Sequence, residues 1–310
     1  MVRPDNRERP LAGVPLAAAA FFIWGLSPIF WKQLSAIPAF ETIMHRMIWS
    51  FIFLVPLLII RKQSYIFFET LSDKKSLLML TLTTVIVGGN WFLFIWAINH
   101  NQILQASLGY YINPLVNVLL GMVFLGERLR PLQVAAAILA GCGVLYLTMS
   151  YGKFPWVALL LAFSFGFYGL VRKIAPVSAL AGLCVETFLL SIPAAAYLAY
   201  LEITGTGALG HMGFKTDLFL AGTSLVTALP LLLFTRGARL LNLSTVGFLQ
   251  FIEPTCTFLL AVFIYQEPLV HEQILTFCAI WLALFAFTVD ALRHHRKTAE
   301  ARINTKKAQI

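Results

Sequence analysis

Residues 250–268 read QFIEPTCTFLLAVFIYQEP and place Glu253 directly before Pro254 inside a long apolar run. Both residues are costly there, because a charged side chain at the centre of a bilayer costs about 2.5–3.5 kcal/mol on insertion scales and proline removes a backbone hydrogen bond. A second stretch, residues 106–129, reads ASLGYYINPLVNVLLGMVFLGERL and has a similar arrangement, with Asn113 before Pro114. Irregular backbone is tolerated at membrane depth only where it meets protein or a water-filled cavity. The two stretches therefore indicate a polar interior within a membrane protein.

The composition agrees with a polytopic membrane protein. Of 310 residues, 59% are hydrophobic and 12% are charged, whereas soluble domains have about 25% charged residues. The net charge of +9 comes from basic residues in the gaps between apolar blocks and in the C-terminal tail, so nucleic acid is not expected as a partner. The four cysteines lie in apolar segments without CxxC spacing, and no metal site or cofactor is predicted. The expected partners are a small-molecule solute and membrane lipid, and the oligomeric state is left open.

The apolar blocks predict an all-α membrane protein with ten transmembrane helices. Crossing the hydrocarbon core takes about 20 apolar residues, and these blocks are too long and continuous for barrel strands. The predicted helices are residues 11–31, 39–60, 77–98, 103–125, 131–148, 155–171, 178–201, 218–235, 243–265 and 273–291.

The distribution of basic residues predicts the orientation, because Lys and Arg favour the cytoplasmic side. Nineteen of the 23 Lys and Arg residues, Arg172, Lys173 and Arg239 among them, fall in alternate loops or in the termini. The opposite side carries only three lysines, and Arg46 lies within a span. Both termini are therefore predicted to be cytoplasmic.

The chain also contains an internal repeat. A shift of 140 residues places Asn113-Pro114 on Glu253-Pro254 and Glu127 on Glu267. Each copy has five helices, an odd number, so the second copy is predicted to enter the membrane from the opposite side. The predicted organisation is a segment of residues 1–10, a first repeat of residues 11–149, an inverted second repeat of residues 154–292 and a basic tail of residues 293–310.

Inverted repeats are typical of secondary transporters, whose substrate site lies near the midplane between the repeats. A repeat that serves packing alone is the alternative. Helical periodicity supports a site, because each proline-containing span has one stripe of polar or small residues. The stripes consist of Ser107, Tyr110, Asn113, Asn117 and Gly121 in the fourth span, and of Gly247, Gln250, Glu253, Thr257 and Ala261 in the ninth. Pro114 and Pro254 are the predicted helix breaks, with a plain packing kink as the alternative.

Few ionisable residues lie inside the predicted spans. A shift of 140 lays Arg46 on Glu186, so the two either form a structural or gating ion pair, or Arg46 anchors an anionic group of the substrate. His45 either relays protons or is a satisfied interior histidine. Glu253 is the candidate carrier of a coupling proton.

Aromatic residues divide between a lipid interface and the interior. Trp31, Trp156 and Trp281 are assigned to the interfacial belt. The residues predicted to face the interior cavity are Trp24, Asn90, Trp91, Tyr110 and Tyr111. Glu127 and Glu267 are predicted to be loop or cap residues at opposite membrane surfaces.

Several stretches resemble the RarD proteins of the EamA group within the drug/metabolite transporter superfamily. They are FFIWGLSPIFWK, HRMIWSF, GNWFLFIWAINH, ASLGYYINPLVNVLLGMVFLGERL, LAFSFGFYGLVRK, VET and QFIEPTCTFLLAVFIYQEP, in that order. The resemblance implies a ten-helix transporter of the bacterial inner membrane, made of two EamA repeats around a central cavity. By position, its HR pair is His45 and Arg46, and the acid of its VET motif is Glu186.

The expected function is secondary transport of a small polar or amphipathic solute, such as an amino acid, a metabolite or a drug-like compound. We expect an exporter that works by alternating access, driven by the proton gradient. The predicted substrate site lies between the fourth and ninth spans, near Tyr110, Asn113, Asn117, Gln250 and Glu253. The alternatives are a channel and an intramembrane enzyme, although motifs such as HExxH and GxSxG are missing.

Overall fold

The structure is a computed structural model that describes residues 10–100, 102–266 and 271–308, and all regular elements in those ranges are helical. The helices are α1 (Pro10–Trp31), α2 (Ala39–Ile60), α3 (Ser64–Ser72), α4 (Lys74–Asn99), α5 (Ile103–Leu125), α6 (Pro131–Ser150), α7 (Trp156–Ile174), α8 (Ala179–Ile203), α9 (Phe214–Leu240), α10 (Leu243–Gln250), α11 (Ile252–Leu259) and α12 (His271–Ala308). A 3₁₀ turn, Lys32–Leu34, follows α1, and a π turn, Leu260–Ile264, follows α11.

Ten helical segments are long and apolar enough to cross a membrane, which confirms the predicted fold class. The ninth span is not one helix, because α10 and α11 meet at Phe251 and the π turn completes the crossing. The segment between the second and third spans contains an unpredicted helix, α3. Helix α12 also continues beyond the predicted end at Ala291, since the Ala, Lys, Arg and Glu residues that follow are good helix formers.

The outer surface of the helix bundle is apolar. Large side chains on several helices are more than half exposed, including Leu78, Val85, Ile138, Leu282 and Phe285. A soluble protein rarely leaves so much apolar surface in water. Lipid tails therefore cover this surface, and polar residues are directed inward.

The helix contacts are consistent with an inverted repeat, because each type of contact recurs between the counterpart helices. Helix α1 packs on α9 and on α10 and α11, and its counterpart α7 packs on α4 and α5. The pairs α2 with α8, α5 with α10, and α6 with α12 each join an element to its own counterpart. Such paired contacts are what an inverted repeat predicts.

Two glycines let the proline-containing helices approach their neighbours closely. A Cβ atom on Gly247 of α10 would lie 2.5 Å from the carbonyl oxygen of Pro114, and a Cβ atom on Gly25 of α1 would lie 2.8 Å from the carbonyl oxygen of Glu253. Small residues at helix crossings in membranes allow this backbone approach. Both proline positions are therefore at crossings between the halves.

Candidate functional site

A cavity of about 900 Å³ lies between the two halves. Helices α1, α2, α4, α5, α7, α9, α10 and α11 line it. It reaches the surface at the connector between α1 and α2, where Ser35, Ala36 and Pro38 both line the cavity and are exposed. We call this the open end. The opposite end of the bundle, where α5, α7 and α9 finish, is called the closed end. No described residue of the connectors at the closed end lines the cavity.

Most of the predicted cavity residues line this space. They are Trp24, Asn90, Trp91, Tyr110, Asn113, Gln250 and Glu253. Arg46 and Pro254 also line it, whereas His45, Asn117, Pro114 and Glu186 do not. The two proline-containing stretches therefore contribute side chains to one chamber.

Asn117 is one helical turn from Asn113 and forms part of a hydrogen-bonded layer below the cavity. Its Nδ2 donates to Oε1 of Gln250 at 2.6 Å and to Oδ1 of Asn113 at 3.2 Å. Nδ2 of Asn113 in turn donates to the carbonyl oxygen of Ala162 at 2.8 Å. These buried bonds join α10, α5 and α7 across the two halves. Asn117 thus acts on the cavity through Gln250 and Asn113.

Arg46 lines the cavity close to two indole rings. Its guanidinium carbon lies 4.1 Å from the ring centroid of Trp91 and 5.6 Å from that of Trp31. The Nε atom is buried and has no hydrogen-bond partner within the described ranges. The assignment of Trp31 to the lipid interface is therefore wrong, since its side chain lines the cavity near the open end. Sequence alone does not separate these positions, because the interface and the cavity mouth lie at the same depth.

Glu186 does not pair with Arg46. Its carboxylate lies 3.5 Å from Nε of Arg172 and accepts hydrogen bonds from Thr83 Oγ1 at 2.5 Å and from the Tyr168 hydroxyl at 3.2 Å. Arg172 is fully buried and Glu186 is 1% exposed. The ion pair joins α7 to α8 towards the closed end.

Arg172 was missed as a site residue, because its place after an apolar run looked like a topology signal. It belongs to the last turn of α7 and not to a loop. A signal was present in the sequence, since Tyr168 and Arg172 are four residues apart and share a helix face. Their common partner on another helix was not evident from that spacing.

His45 lies on the side of α2 that faces away from the cavity. Its Nε2 is 3.8 Å from Oε1 of Glu41, and the same carboxylate accepts a hydrogen bond from the backbone N–H of Ala208 at 2.7 Å. Both side chains are buried. These contacts attach α2 to the connector between α8 and α9 and favour the structural alternative for His45 over the proton relay.

Glu253 lines the cavity and pairs with no cation within 4.0 Å among the residues described. Tyr110 and Arg46 line the same cavity. A charge on Glu253 would therefore have to be met by water, a proton or a bound solute. The site can bind a polar group at each of two separate positions, one basic and one acidic.

The closed end is held by charged side chains bound to helix ends. Glu127 accepts hydrogen bonds from the backbone N–H groups of Leu243 at 2.6 Å and Ser244 at 2.9 Å, and from the Ser244 hydroxyl, so it caps the start of α10. The prediction that Glu127 is a cap residue is confirmed, while Glu267 lies outside the described residues.

Two basic side chains contribute at the same end. Lys173 donates to the carbonyl oxygens of Ala238, at 2.7 Å, and Leu241, and Arg239 donates to the carbonyl oxygen of Val177. These residues were predicted only as topology signals. They also bind the last carbonyls of helix α9 and the connector that follows α7.

Comparison with known proteins gives one consistent result. The EamA-like transporter family matches residues 11–149. A protein of Salmonella typhi named "Protein RarD" is 49% identical over 285 residues, which cover 92% of this chain and 97% of the relative. A protein of Vibrio cholerae named "Uncharacterized transporter" is 44% identical over 299 residues, covering 96% of this chain and 99% of the relative.

A solved crystal structure has a similar fold. It aligns with a TM-score of 0.71, covering 91% of this chain and 98% of the other, at 18% sequence identity. This likeness concerns the fold alone.

Proposed function

Because the chain belongs to the RarD group of the EamA-like transporter family, we propose that it is a secondary carrier that exports a small polar or amphipathic solute by alternating access. Membership makes it a multi-pass membrane transporter and not an enzyme. The observation that carries the proposal is a cavity shared by both halves, open at one end and sealed at the other. A carrier in one of its two access states has this form.

The proposed moving parts are the two repeats, residues 11–149 and 154–292, related by an axis in the membrane plane. The exchanged helix contacts support this relation. In the second access state the contacts of Glu127 with Leu243 and Ser244, which join the two repeats at the closed end, would separate, and the open end would seal. The hydrogen-bonded layer of Asn113, Asn117 and Gln250 lies between the two ends and binds both repeats, so it is the proposed pivot.

The proposed orientation places both termini in the cytoplasm of a bacterial cell, with the open end outside. Labelling with a membrane-impermeant maleimide tests it in a variant that lacks the four native cysteines. Intact cells should label Ser35→Cys at the open end and not Arg61→Cys at the exposed end of α2. The reverse pattern would contradict the orientation.

Proton coupling is proposed for Glu253. Its carboxyl group faces the cavity without a partner cation in the described structure, so it can take up or release a proton beside a bound solute. The charge on Glu253 would then affect solute binding, which would link proton movement to solute export.

A channel is the competing function. Sealed proteoliposomes distinguish the two, after a thermal-shift screen against metabolites and antibiotics has identified a ligand. A ligand at 100 times its Kd should stabilise the native state by about 2.7 kcal/mol. A carrier then gives saturable flux and counterflow of the labelled ligand, whereas flux without saturation or counterflow would indicate a channel.

A further inference from the structure

The cavity contains one basic side chain among its described lining residues, and that side chain lacks a protein acceptor at Nε. Arg46 is this residue, and Glu253 is the one acid there. Arg46 also has no carboxylate within 4.0 Å among the described residues, so its charge has to be met by water or by a solute in the cavity. The feature therefore concerns what binds in the cavity.

The two tryptophans set how Arg46 presents its donors. Trp91 and Trp31 contact the guanidinium through their ring faces, at 4.1 and 5.6 Å from the ring centroids. An aromatic ring face offers the guanidinium no lone-pair acceptor, so these contacts leave its N–H groups to be paired by water or a solute. A planar fork of donors matches a carboxylate, which can accept two parallel hydrogen bonds.

The rest of the wall is suited to an apolar body. Trp24 packs edge-on against Phe165 with ring centroids 5.9 Å apart, and Phe94 packs against Tyr110 at 6.1 Å. All four rings line the cavity. A second negative charge on the solute would find no further cation among the described lining residues and would be repelled by an ionised Glu253.

We infer that the solute is a monocarboxylate with an aromatic or branched apolar body, and that Arg46 binds its carboxylate. This inference rests on the proposed carrier function and specifies its substrate class. Arg46 is then the residue that selects for charge, and the two tryptophans contact its guanidinium beside the solute.

Three compounds with one carbon skeleton test the inference on the unaltered protein. They are 3-phenylpropanoate, 3-phenylpropanamide and 3-phenylpropylamine, which differ in the charge of one end. Binding is measured by calorimetry in nanodiscs, with tryptophan fluorescence as a second readout because Trp31 and Trp91 flank the site. The carboxylate should bind about 10- to 100-fold more tightly than the amide or the amine, the range expected for hydrogen bonds to a charged group. Benzylmalonate, with two carboxylates, should bind more weakly than 3-phenylpropanoate.

Variants of Arg46 locate the effect. Arg46→Gln should remove the preference for the carboxylate over the amide, and Arg46→Lys should retain part of it because the charge stays but the planar fork is lost. Arg61→Gln, at the exposed end of the same helix, is the matched control and should bind like the unaltered protein.

The outcomes separate this inference from the proposed function. Equal binding of the three compounds, failure of the carboxylate to bind, or tighter binding of benzylmalonate would overturn the substrate class, and saturable counterflow of any solute would still support the carrier. Carboxylate-selective binding without counterflow of the bound compound would support the site assignment and contradict the carrier.

Discussion

Counterpart positions in the two halves have different surroundings. Asn113 and Glu186 are buried and hydrogen-bonded on more than one side. Their counterparts 140 residues away, Glu253 and Arg46, face the cavity without an ion-pair partner in the described structure. The duplication preserves where polar groups occur, while the chemistry at each pair has diverged. One member stabilises the bundle and the other is left for a ligand.

The helices around one of these pairs differ in the same way. Helix α5 continues unbroken through Pro114, whereas the counterpart span is divided at Phe251 and ends in a π turn. Short π segments inside helices often occur at functional sites. The broken copy is the one whose acid faces the cavity.

The comparison of counterpart positions predicts the largest loss of stability for substitution of Arg172, the partner of Glu186. Arg172→Met removes the cation and leaves Glu186 buried, which should lower the free energy of unfolding by about 3–5 kcal/mol. Chemical unfolding in detergent measures this, with the exposed Arg61→Met as control. Adding Glu186→Leu should restore more than half of the loss, and a double variant no better than the single one would argue against the pair.

A smaller loss of stability is expected at Asn113. Asn113→Leu leaves the carbonyl oxygen of Ala162 without its donor and should cost about 1–3 kcal/mol. The matched control is Ser107→Ala, also on the cavity wall of α5, which should change stability by less than about 0.5 kcal/mol. If both variants changed the free energy of unfolding equally in this assay, the hydrogen bond of Asn113 would not be the source of the loss.

The closed end should respond to Glu127. Glu127→Ala removes the cap of α10, a change worth about 1 kcal/mol for helix caps, and should shift the population towards the state that is open at that end by roughly fivefold. Maleimide labelling of Ser244→Cys, in the cysteine-free background with and without Glu127→Ala, reports the shift. Unchanged labelling would mean that the cap is not part of the closure.

Substitution of Glu253 should have the smallest effect on stability of these variants and a clear effect on transport. Glu253→Gln preserves shape and removes the titratable group, so unfolding should change by less than about 0.5 kcal/mol. The pH dependence of flux into proteoliposomes should disappear while ligand-induced thermal stabilisation remains. A pH profile equal to that of the unaltered protein would exclude Glu253 from proton coupling.

Local patterns predicted much of this molecule. Hydropathy gave the ten spans, and helical periodicity identified the face that carries Tyr110, Asn113, Gln250 and Glu253, because both depend on residues near in sequence. Helix α3 was missed since a short surface helix between spans has no hydropathy signal of its own. Its place in a polar gap was read as a loop.

The predicted ion pair between Arg46 and Glu186 does not form, and the reason is geometric. A two-fold axis in the membrane plane relates each residue to a counterpart at the same distance from the midplane but on the other side of it. Arg46 and Glu186 are each seven residues into helices that start at opposite membrane surfaces. At 1.5 Å per residue, each lies about 10 Å from its own end of the membrane. Counterparts meet only near the axis, so sequence symmetry alone did not predict the partner of either one.

The bonds of Glu127, Lys173 and Arg239 to backbone groups have a consequence for ionic strength. Exposed ion pairs weaken as the Debye length falls from about 10 Å at 0.1 M salt to about 3 Å at 1 M. At this end each of the three charges instead contacts fixed amide or carbonyl dipoles at hydrogen-bond range, with no room for an intervening ion. The bonds of Glu127 to α10, which join the two repeats, should therefore persist in concentrated salt, and electrolyte alone will not open this end.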